Sequence, residues 1–353
     1  MKLAITADAH LSEKDNHPER YSALKDILVQ MKKDKIDTLI IAGDLFDSGY
    51  QDYSSFEELC KAYKHIKFHV IPGNHDPGIS SKAIVADNIS IYTSTSAVGF
   101  DGVHFIFIPY MEKMGMGENL AGLESSISRI RWVLIGHGDF YGGLKERNPY
   151  EAGTYMPLYR KDLDRLNPWR VFLGHIHKPS SYKNLYYPGS PCGLDINESG
   201  ARRFLIFDTS SGIVTPRRVN TEVIYFQEKF VIIPCTDEIP KLRAEAEARI
   251  KSWNLSNKDK TKARIRISAA GYSSNRDAVM NTLSEAFNGF SFYRDEKPDL
   301  SALKFAGDTR RSAMAEKTTR AIEELKWNYG GDEPELDRVV EAALSVIYGE
   351  GVS

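Results

Sequence analysis

The chain contains little cysteine and no long apolar run, and both absences narrow its setting. Its three cysteines are odd in number and widely spaced, at Cys60, Cys192 and Cys235. They form no metal motif and indicate a reducing compartment. No stretch approaches the roughly 20 apolar residues of a membrane-spanning helix, and Asp8 interrupts the first apolar run too early for a signal-peptide core. We expect a cytoplasmic protein with no membrane segment.

The chain also lacks an excess of either charge, a tandem repeat and a low-complexity tail. Lysine and arginine together number 46 and aspartate and glutamate number 48, which gives a formal net charge of −2. This balance counts mildly against a nucleic-acid binder, although a local basic patch needs no global excess. At 353 residues the chain is too long for one ordinary core, so we expect two or three domains.

The first half alternates short apolar runs with amphipathic segments. Strands are predicted at 2–7, 38–42 and 68–72, with helices near 18–34 and 54–65 between them. This βαβαβ order predicts a largely parallel sheet with right-handed crossovers. Asp101-Gly102, between two later apolar runs, is typical of a type I′ hairpin turn.

The composition changes near residue 229, where a second unit resembling βαβαβ begins. We therefore predict a domain at 1–228, an α/β cap at 229–298 and a C-terminal helical segment at 299–353. Two helices are predicted in that segment, near 309–328 and 334–348. In the second helix Leu336, Val340 and Leu344 belong to an apolar stripe, which can pack onto its own domain or onto a partner.

Five short polar clusters occur in the first half, and each follows an apolar run. They are Asp8-Ala9-His10, Gly43-Asp44, Gly73-Asn74-His75-Asp76, Gly136-His137 and Gly174-His175-Ile176-His177. Open α/β sheets bind ligands where their strands end. Alternation along a strand would put Asp8 and His10 on one side of the sheet, and likewise His175 and His177. The clusters supply mixed nitrogen and oxygen ligands for two metal ions, a set that suits Mn²⁺, Fe²⁺ or Zn²⁺ better than Mg²⁺.

In these motifs and their order, the chain resembles the calcineurin-like metallophosphoesterase superfamily. The resemblance implies a fold of class α/β, a two-sheet sandwich with flanking helices, to which the small α/β cap and the C-terminal helices are added. It implies that one metal would be held by Asp8, His10, Asp44 and His177. The second would be held by Asp44, Asn74, His137 and His175, with Asp44 bridging the two.

His75 is left without a metal in this assignment. Two cations about 3.5–4 Å apart can clamp the attacking and leaving oxygens of an in-line displacement. We expect His75 to stabilise the developing charge or to protonate the leaving oxygen. Asp76 would orient His75, as a carboxylate does for an imidazole. We expect Asp47 to hydrogen-bond to a side chain that binds a metal, without contacting the metal itself.

The second and third motifs distinguish between branches of the superfamily. Ser/Thr protein phosphatases carry arginine after the second-motif aspartate and glutamate at the end of the third motif, whereas this chain has Ser48 and Asp76. With Tyr187-Pro188-Gly189-Ser190-Pro191 after the last motif, it is more similar to the SbcD branch, the meiotic-recombination-eleven type of nuclease. That resemblance covers about 220 residues and implies a cap that contacts DNA, C-terminal helices that dock an SbcC-like coiled-coil ATPase, and a homodimer.

The predicted function is a metal-dependent DNA nuclease, acting as a 3′–5′ exonuclease, a single-strand endonuclease or both at DNA ends. Basic and aromatic residues interleave in the first domain, and the predicted nucleic-acid contacts are Tyr159, Arg160, Lys161, Arg202 and Arg203. Ordinary solvated charges would give the same pattern. A small-molecule phosphodiesterase or nucleotide pyrophosphatase is the second hypothesis, and residues 229–353 argue against it. A scaffold that binds DNA without cutting is the third, and the intact ligand set argues against it.

Overall fold

The computed structural model describes residues 1–80, 82, 84–127, 130–142, 153–307, 309–325 and 334–349. The chain divides into two compact units. The first comprises Met1–Leu194 and Ala201–Glu222, and the second comprises Asp195–Gly200 and Val223–Ser353. Among the described residues, no helix combines the length and the apolar character that crossing a bilayer requires.

The first unit contains fourteen of the described strands and five of the described helices; twelve of these strands form two large sheets, and the other two pair with each other. Its strands are β1 (Lys2–Thr6), β2 (Thr38–Ala42), β3 (Lys67–Ile71), β4 (Ile89–Ile91), β5 (Ser96–Phe100), β6 (Val103–Phe107), β7 (Trp132–His137), β8 (Phe140–Tyr141), β9 (Leu158–Tyr159), β10 (Arg170–Gly174), β11 (Ser180–Tyr182), β12 (Leu185–Tyr187), β13 (Arg203–Asp208) and β14 (Val214–Arg218). Its helices are α1 (Pro18–Asp34), α2 (Ser54–Ala62), α3 (Met116–Ala121), α4 (Glu124–Ile127) and α5 (Arg160–Leu166).

The two large sheets have six strands each. The first has the order β14-β13-β1-β2-β3-β4 and the second β11-β12-β10-β7-β6-β5. Strands β1 to β4 run parallel, as do β6, β7, β10 and β12. One buried cluster takes side chains from both sheets, among them Ile5, Phe105 and Phe172. The predicted α/β sandwich of two sheets with helices is therefore confirmed.

Local sequence signals explain several of these elements. Helix α1 begins at Pro18, whose fixed φ suits a first helical turn. Its predicted apolar stripe is buried at Leu24, Ile27, Leu28 and Met31. Asp101 and Gly102 both have positive φ, at 51° and 76°. They join antiparallel β5 and β6 as the predicted type I′ turn requires.

The second unit contains a sheet whose described strand pairings are all parallel, and it has its own apolar cores. Its strands are β15 (Ile224–Ile232), β16 (Ala263–Ser273), β17 (Ser291–Phe292) and β18 (Leu303–Phe305). Its helices are α6 (Glu238–Ser252), α7 (Asn257–Lys260), α8 (Arg276–Ala286), α9 (Thr309–Glu324) and α10 (Leu336–Ile347). Strands β15 and β17 pair in parallel with β16, as the predicted βαβαβ order implies.

The division of the chain differs from the predicted domain boundary at residue 228. Strand β15 crosses that position without interruption and pairs along its whole length with β16. The change in composition near 229 therefore lies inside a strand. Helices α9 and α10 contribute Ala315, Val340 and Leu344 to a core shared with Tyr272 of β16, so the described C-terminal helices and the predicted cap share one packed unit.

Candidate metal centre

The segments that follow β1 and β2 bring Asp8, His10 and Asp44 together. The backbone N–H of Asp8 donates to the carbonyl of Gly43, and that of His10 donates to the carbonyl of Asp44, at 3.1 and 3.0 Å. All three residues have positive φ, between 45° and 53°, a conformation in which Asp and His are enriched among non-glycine residues. Strand alternation was the wrong reason for grouping Asp8 with His10, because β1 ends at Thr6 and both residues lie in the loop beyond it.

Glycines in the motifs leave room for ligands from neighbouring loops. A Cβ at Gly43 would lie 2.1 Å from Nδ1 of His137. A Cβ at Gly73 would lie 2.1 Å from Oδ1 of Asp44. Real Cβ atoms do not approach other atoms so closely. The candidate ligands of separate loops can therefore converge only because the residues at positions 43 and 73 have no side chain.

The first predicted ligand group converges. The ligand atoms of Asp8, His10 and His177 lie within 4.8 Å of one another, and all three residues are buried. Nε2 of His10 lies 3.1 Å from Nε2 of His177 and 3.7 Å from Oδ2 of Asp44. Oδ1 of Asp8 accepts the backbone N–H of His175 at 2.7 Å. Oδ2 of Asp8 is buried and has no hydrogen-bond donor in the described part of the chain. Burial raises the pKa of the Asp8 carboxyl, against the lowering effect of His177.

The second predicted group converges around Asp44 and Asn74. Oδ1 of Asn74 lies 2.9 Å from Nε2 of His137 and 3.1 Å from Nδ1 of His175. Oδ2 of Asp44 lies 3.2 Å from Nε2 of His137. Nδ1 of His137 lies 2.9 Å from the carbonyl of Ala42. A proton on Nδ1 would donate to that carbonyl, and Nε2 would face the centre.

Electrostatics couples Asp44 and His137. Burial alone would lower the pKa of His137, but the adjacent Asp44 carboxylate raises it to about 9. Burial likewise opposes ionisation of Asp44, yet the neighbouring imidazoles, His137 foremost, hold its pKa below its ordinary value. The carboxylate form of Asp44 is therefore the one that this site stabilises.

These residues fit two divalent metal ions. Two imidazole nitrogens face each other across 3.1 Å, and a buried carboxylate oxygen of Asp8 has no donor among the described residues. A cation would satisfy both arrangements. Asp44 belongs to one group with His10 and His75 and to another with Asp8 and His137, a central position that suits a bridging carboxylate. The nitrogen and oxygen donors suit Mn²⁺, Fe²⁺ or Zn²⁺.

The third motif places His75 at the edge of this centre. The His75 side chain is 25% exposed, and its ring packs edge-on against that of His10 with centroids 4.6 Å apart. Nδ1 of His75 lies 3.4 Å from Oδ1 of Asp47. Burial opposes ionisation of Asp47, but His10, His75 and Arg20 together hold its pKa well below its ordinary value.

Asp76 occupies a different position from the one predicted for it. It is buried, and its two oxygens accept the backbone N–H groups of Gly73 and Phe46 at 2.7 and 3.1 Å. It therefore ties together the loops after β3 and β2, and Asp47 faces the His75 ring instead. Burial, with the nearby Asp44 charge, raises the pKa of Asp76 to about 7.

Two residues near the centre were not predicted from the sequence. Asp139 is buried, its Oδ1 lies 3.7 Å from Nε2 of His175, and its Oδ2 accepts the backbone N–H of Tyr155. Its position two residues after His137 was the available signal. Arg20 of α1 reaches Asp47 at 3.0 Å, and a charged residue on an apolar helix face was the signal there.

The predicted nucleic-acid contacts separate into two groups. Tyr159 is 42% exposed, and the Lys161 ammonium lies 5.3 Å from the centre of its ring. Arg160 is also exposed. The prediction for Arg202 was wrong, because this side chain is only 3% exposed and donates to the carbonyl of His177 at 2.9 Å. Arg203 is half-buried in β13, and burial lowers its pKa.

A family model and several known proteins are similar to this chain. A family model described as calcineurin-like phosphoesterase matches residues 1–207. Exonuclease subunit 1 of Enterobacteria phage T4 is 27% identical over 234 residues, which cover 60% of this chain. The D subunit of nuclease SbcCD from Staphylococcus epidermidis is 27% identical over 247 residues, which cover 58%.

The chain matches 66% of the length of each of these relatives, slightly less than two thirds. A solved structure described as a novel archaeal phosphodiesterase aligns with 62% of this chain and all of that chain. Its sequence identity is 15% and the TM-score is 0.33, too low to carry an argument.

Proposed function

This chain belongs to the calcineurin-like phosphoesterase family, whose model matches residues 1–207 of its 353, and we propose that it is a metal-dependent DNA nuclease. The family supports phosphoester hydrolysis. Two relatives that are named as nuclease subunits support DNA as the substrate. Cleavage from a 3′ end, within single strands, or both, belongs to the proposal.

The convergence of seven ligand residues around Asp44 carries the proposal. They lie at or just beyond the ends of five strands, and Asp44 shares a group with His10 and another with His137. In our proposal Asp8, His10, Asp44 and His177 hold one cation, and Asp44, Asn74, His137 and His175 hold the second. When bound, two divalent cations would activate a water molecule and neutralise charge on the phosphate. We propose Mn²⁺, with Fe²⁺ or Zn²⁺ as alternatives.

The remaining residues of the site orient the His75 ring and its loop and supply a proton to the leaving oxygen. Asp47 faces Nδ1 of His75 at 3.4 Å, so Nε2 lies on the opposite edge of the ring. A proton held there can pass to the leaving oxygen of the phosphodiester. Asp76 keeps the loop that carries Asn74 and His75 in register through its two backbone hydrogen bonds.

The proposal also covers the compartment, the oligomeric state and the partner of this protein. We propose that the chain acts in DNA-end processing as a cytoplasmic homodimer and as the nuclease subunit beside an SbcC-like coiled-coil ATPase. One relative is named as part of nuclease SbcCD, and this name supports the complex. We place the ATPase contact on the C-terminal helices, where Met314 and Val346 are exposed, as is Leu325 just beyond α9. The proposed DNA contacts are the predicted cap and the exposed segment Tyr159–Lys161.

A nuclease assay tests the proposal directly. End-labelled duplex and single-stranded DNA are incubated with Mn²⁺ and wild type, Asp44→Asn, His75→Asn or His104→Gln. His104 is an exposed histidine of β6 and is the matched control. We expect wild type and His104→Gln to cleave. The Asp44 variant should be inactive, and the His75 variant should be at least about 100-fold slower, the range of a lost general acid.

Two results would overturn the nuclease proposal. Turnover of bis(p-nitrophenyl) phosphate or dinucleotides without cleavage of either DNA would indicate a small-molecule phosphodiesterase instead. DNA binding with no Mn²⁺ binding by calorimetry would indicate a scaffold that does not cut. Equal cleavage by His75→Asn and wild type would remove His75 from the mechanism.

A further inference from the structure

Arg20 is a buried cation that the proposed mechanism has not yet used. It is 7% exposed and lies on the same face of α1 as the fully buried residues Ala23, Leu24 and Ile27. A guanidinium on an apolar helix face is unfavourable unless its hydrogen-bonding and charge requirements are met. Its position therefore calls for partners that fix it.

One terminal nitrogen of Arg20 meets three oxygens of the catalytic loops. Its two N–H bonds are shared among the carbonyl of His10, the hydroxyl of Ser12 at 3.3 Å and Oδ2 of Asp47 at 3.0 Å. The first two oxygens belong to the loop after β1, and the third belongs to the loop after β2. Arg20 thus joins α1 to two loops that carry ligands.

The second oxygen of Asp47 faces two imidazoles. Oδ1 lies 3.4 Å from Nδ1 of His75 and 3.5 Å from Nδ1 of His10. A carboxylate beside Nδ1 favours a proton on that nitrogen and directs Nε2 to the opposite side. For His10 the opposite side is the ligand group, where its Nε2 meets Nε2 of His177 at 3.1 Å. For His75 it is the edge proposed to protonate the leaving oxygen.

We propose that Arg20 is a positioning residue that holds Asp47, so that Asp47 fixes the ring orientation and tautomer of His75 and His10. The inference rests on the proposed phosphodiester hydrolysis and adds a residue to it. Arginine suits this place because its guanidinium stays charged and its planar geometry fixes the directions of its N–H bonds. A lysine ammonium would keep the charge, but its N–H groups rotate on a flexible stem and would hold the same oxygens in less fixed directions.

The kinetics of four variants test whether Arg20 acts through Asp47 on the two histidines, an arrangement that we call the relay. They are Arg20→Lys, Arg20→Ala, Asp47→Asn and the double variant Arg20→Ala/Asp47→Asn, compared with Lys25→Ala. Lys25 is an exposed basic residue on the same helix and is the matched control. We expect kcat for Mn²⁺-dependent DNA cleavage to fall about 10–100-fold in Arg20→Ala, less in Arg20→Lys and not at all in Lys25→Ala. KM should change by less than about twofold, because a positioning residue makes no substrate contact.

The double variant distinguishes a relay from independent roles. If Arg20 acts through Asp47, removing Arg20 from Asp47→Asn should change kcat little further, because interacting residues are not additive. Fully multiplicative losses would overturn the relay. A raised KM with a reduced salt dependence would overturn it too, since that is the signature of a lost phosphate contact.

Ring-nitrogen NMR of the metal-free protein tests the inference without any activity. In ¹⁵N-histidine spectra, Arg20→Ala or Arg20→Lys should shift the nitrogen signals of His75 and His10, whereas Lys25→Ala should shift neither. If wild type cleaves no phosphodiester, the proposed function fails while this measurement still tests the positioning. If the histidine signals of both Arg20 variants match wild type, the positioning role fails. Should Arg20→Ala not fold, as its melting curve would show, Arg20→Lys carries both experiments.

Discussion

At the scale of single residues, Gly73 shows how closely the motifs are fitted together. A Cβ at this position would overlap Oδ1 of Asp44, the carboxylate at the centre of the ligand set. A Cβ at Gly78, five residues later in an exposed position, would meet nothing within 4 Å. The glycine at 73 is therefore required by packing against a candidate ligand, and the one at 78 is not.

We expect Gly73→Ala to lower Mn²⁺ affinity by about 10-fold or more, because Asp44 must move to admit the methyl group. Titration calorimetry of the folded variant measures this. Gly78→Ala should bind Mn²⁺ as wild type does. Equal affinities for Gly73→Ala and wild type would show that the loop adjusts without displacing Asp44.

His69 is a titratable residue with a role in stability. It is buried in β3, its Nδ1 lies 2.7 Å from the Tyr92 hydroxyl, and Phe100 packs edge-on against its ring. Burial, with a smaller effect of Lys67, lowers its pKa from 6.5 to about 4. The folded protein therefore holds this imidazole neutral at pH values where the unfolded chain protonates it.

We expect His69 to contribute to acid sensitivity between pH 6.5 and 4. Its folded pKa lies below its unfolded one, so stability is complete above pH 6.5 and falls by about 3 kcal/mol as pH approaches 4. Denaturant unfolding in chelator should show a shallower pH dependence for His69→Gln than for wild type. His104→Gln, which changes an exposed histidine of β6, should keep the wild-type slope. If both variants keep that slope, His69 titrates alike in the folded and unfolded states.

At the scale of elements, α10 packs onto its own unit. The sequence predicted its apolar stripe but left open whether a partner covers it. Val340 and Leu344 are buried in a core with Tyr272 and Ala315. Val346, on the same helix, is 64% exposed. The predicted stripe is therefore occupied within the second unit, and a partner would have to use other residues of the helix.

We expect Leu344→Ala to destabilise the protein by about 2–5 kcal/mol, because it opens a cavity at a side chain that is 1% exposed. Val346→Ala should change the free energy of unfolding by no more than about 0.5 kcal/mol. Denaturant unfolding followed by circular dichroism compares the two. Equal small effects would mean that the α10 core contributes little to stability.

At the scale of the whole molecule, the candidate metal ligands all belong to the first unit, and the second unit has separate apolar cores. We expect scanning calorimetry to resolve two transitions. Mn²⁺ at about 100 times its Kd should stabilise the first unit by about 2.7 kcal/mol, and a chelator should reverse this. The transition lowered by Leu344→Ala should respond little to Mn²⁺. If calorimetry shows a single transition that shifts both with Mn²⁺ and with Leu344→Ala, the two units unfold cooperatively.

Those parts of the candidate metal centre that depend on local order along the chain can be predicted from the sequence alone. Apolar runs followed by Asp, Asn or His marked strand ends, and parallel strands bring such ends to one edge of a sheet. Asp8, Asp44, Asn74 and the histidines proposed as ligands could therefore be predicted together. The type I′ turn at Asp101-Gly102 was equally readable, because only a few residue types accept two successive positive φ angles.

The residues that contact those candidate ligands became clear from the folded arrangement of the loops. Asp76 follows His75 in sequence, yet backbone N–H groups occupy both of its oxygens and Asp47 faces the imidazole. Arg202 looked like a surface cation but is buried beneath the loop of His177, while Arg20 reaches Asp47 from a distant helix. The physical reason is that hydrogen bonding and burial act between atoms close in space, and these loops meet only when the sheets assemble. The positive φ values at Asp8 and His10 arise in the same way, from loop contacts beyond the strand that no alternation pattern records.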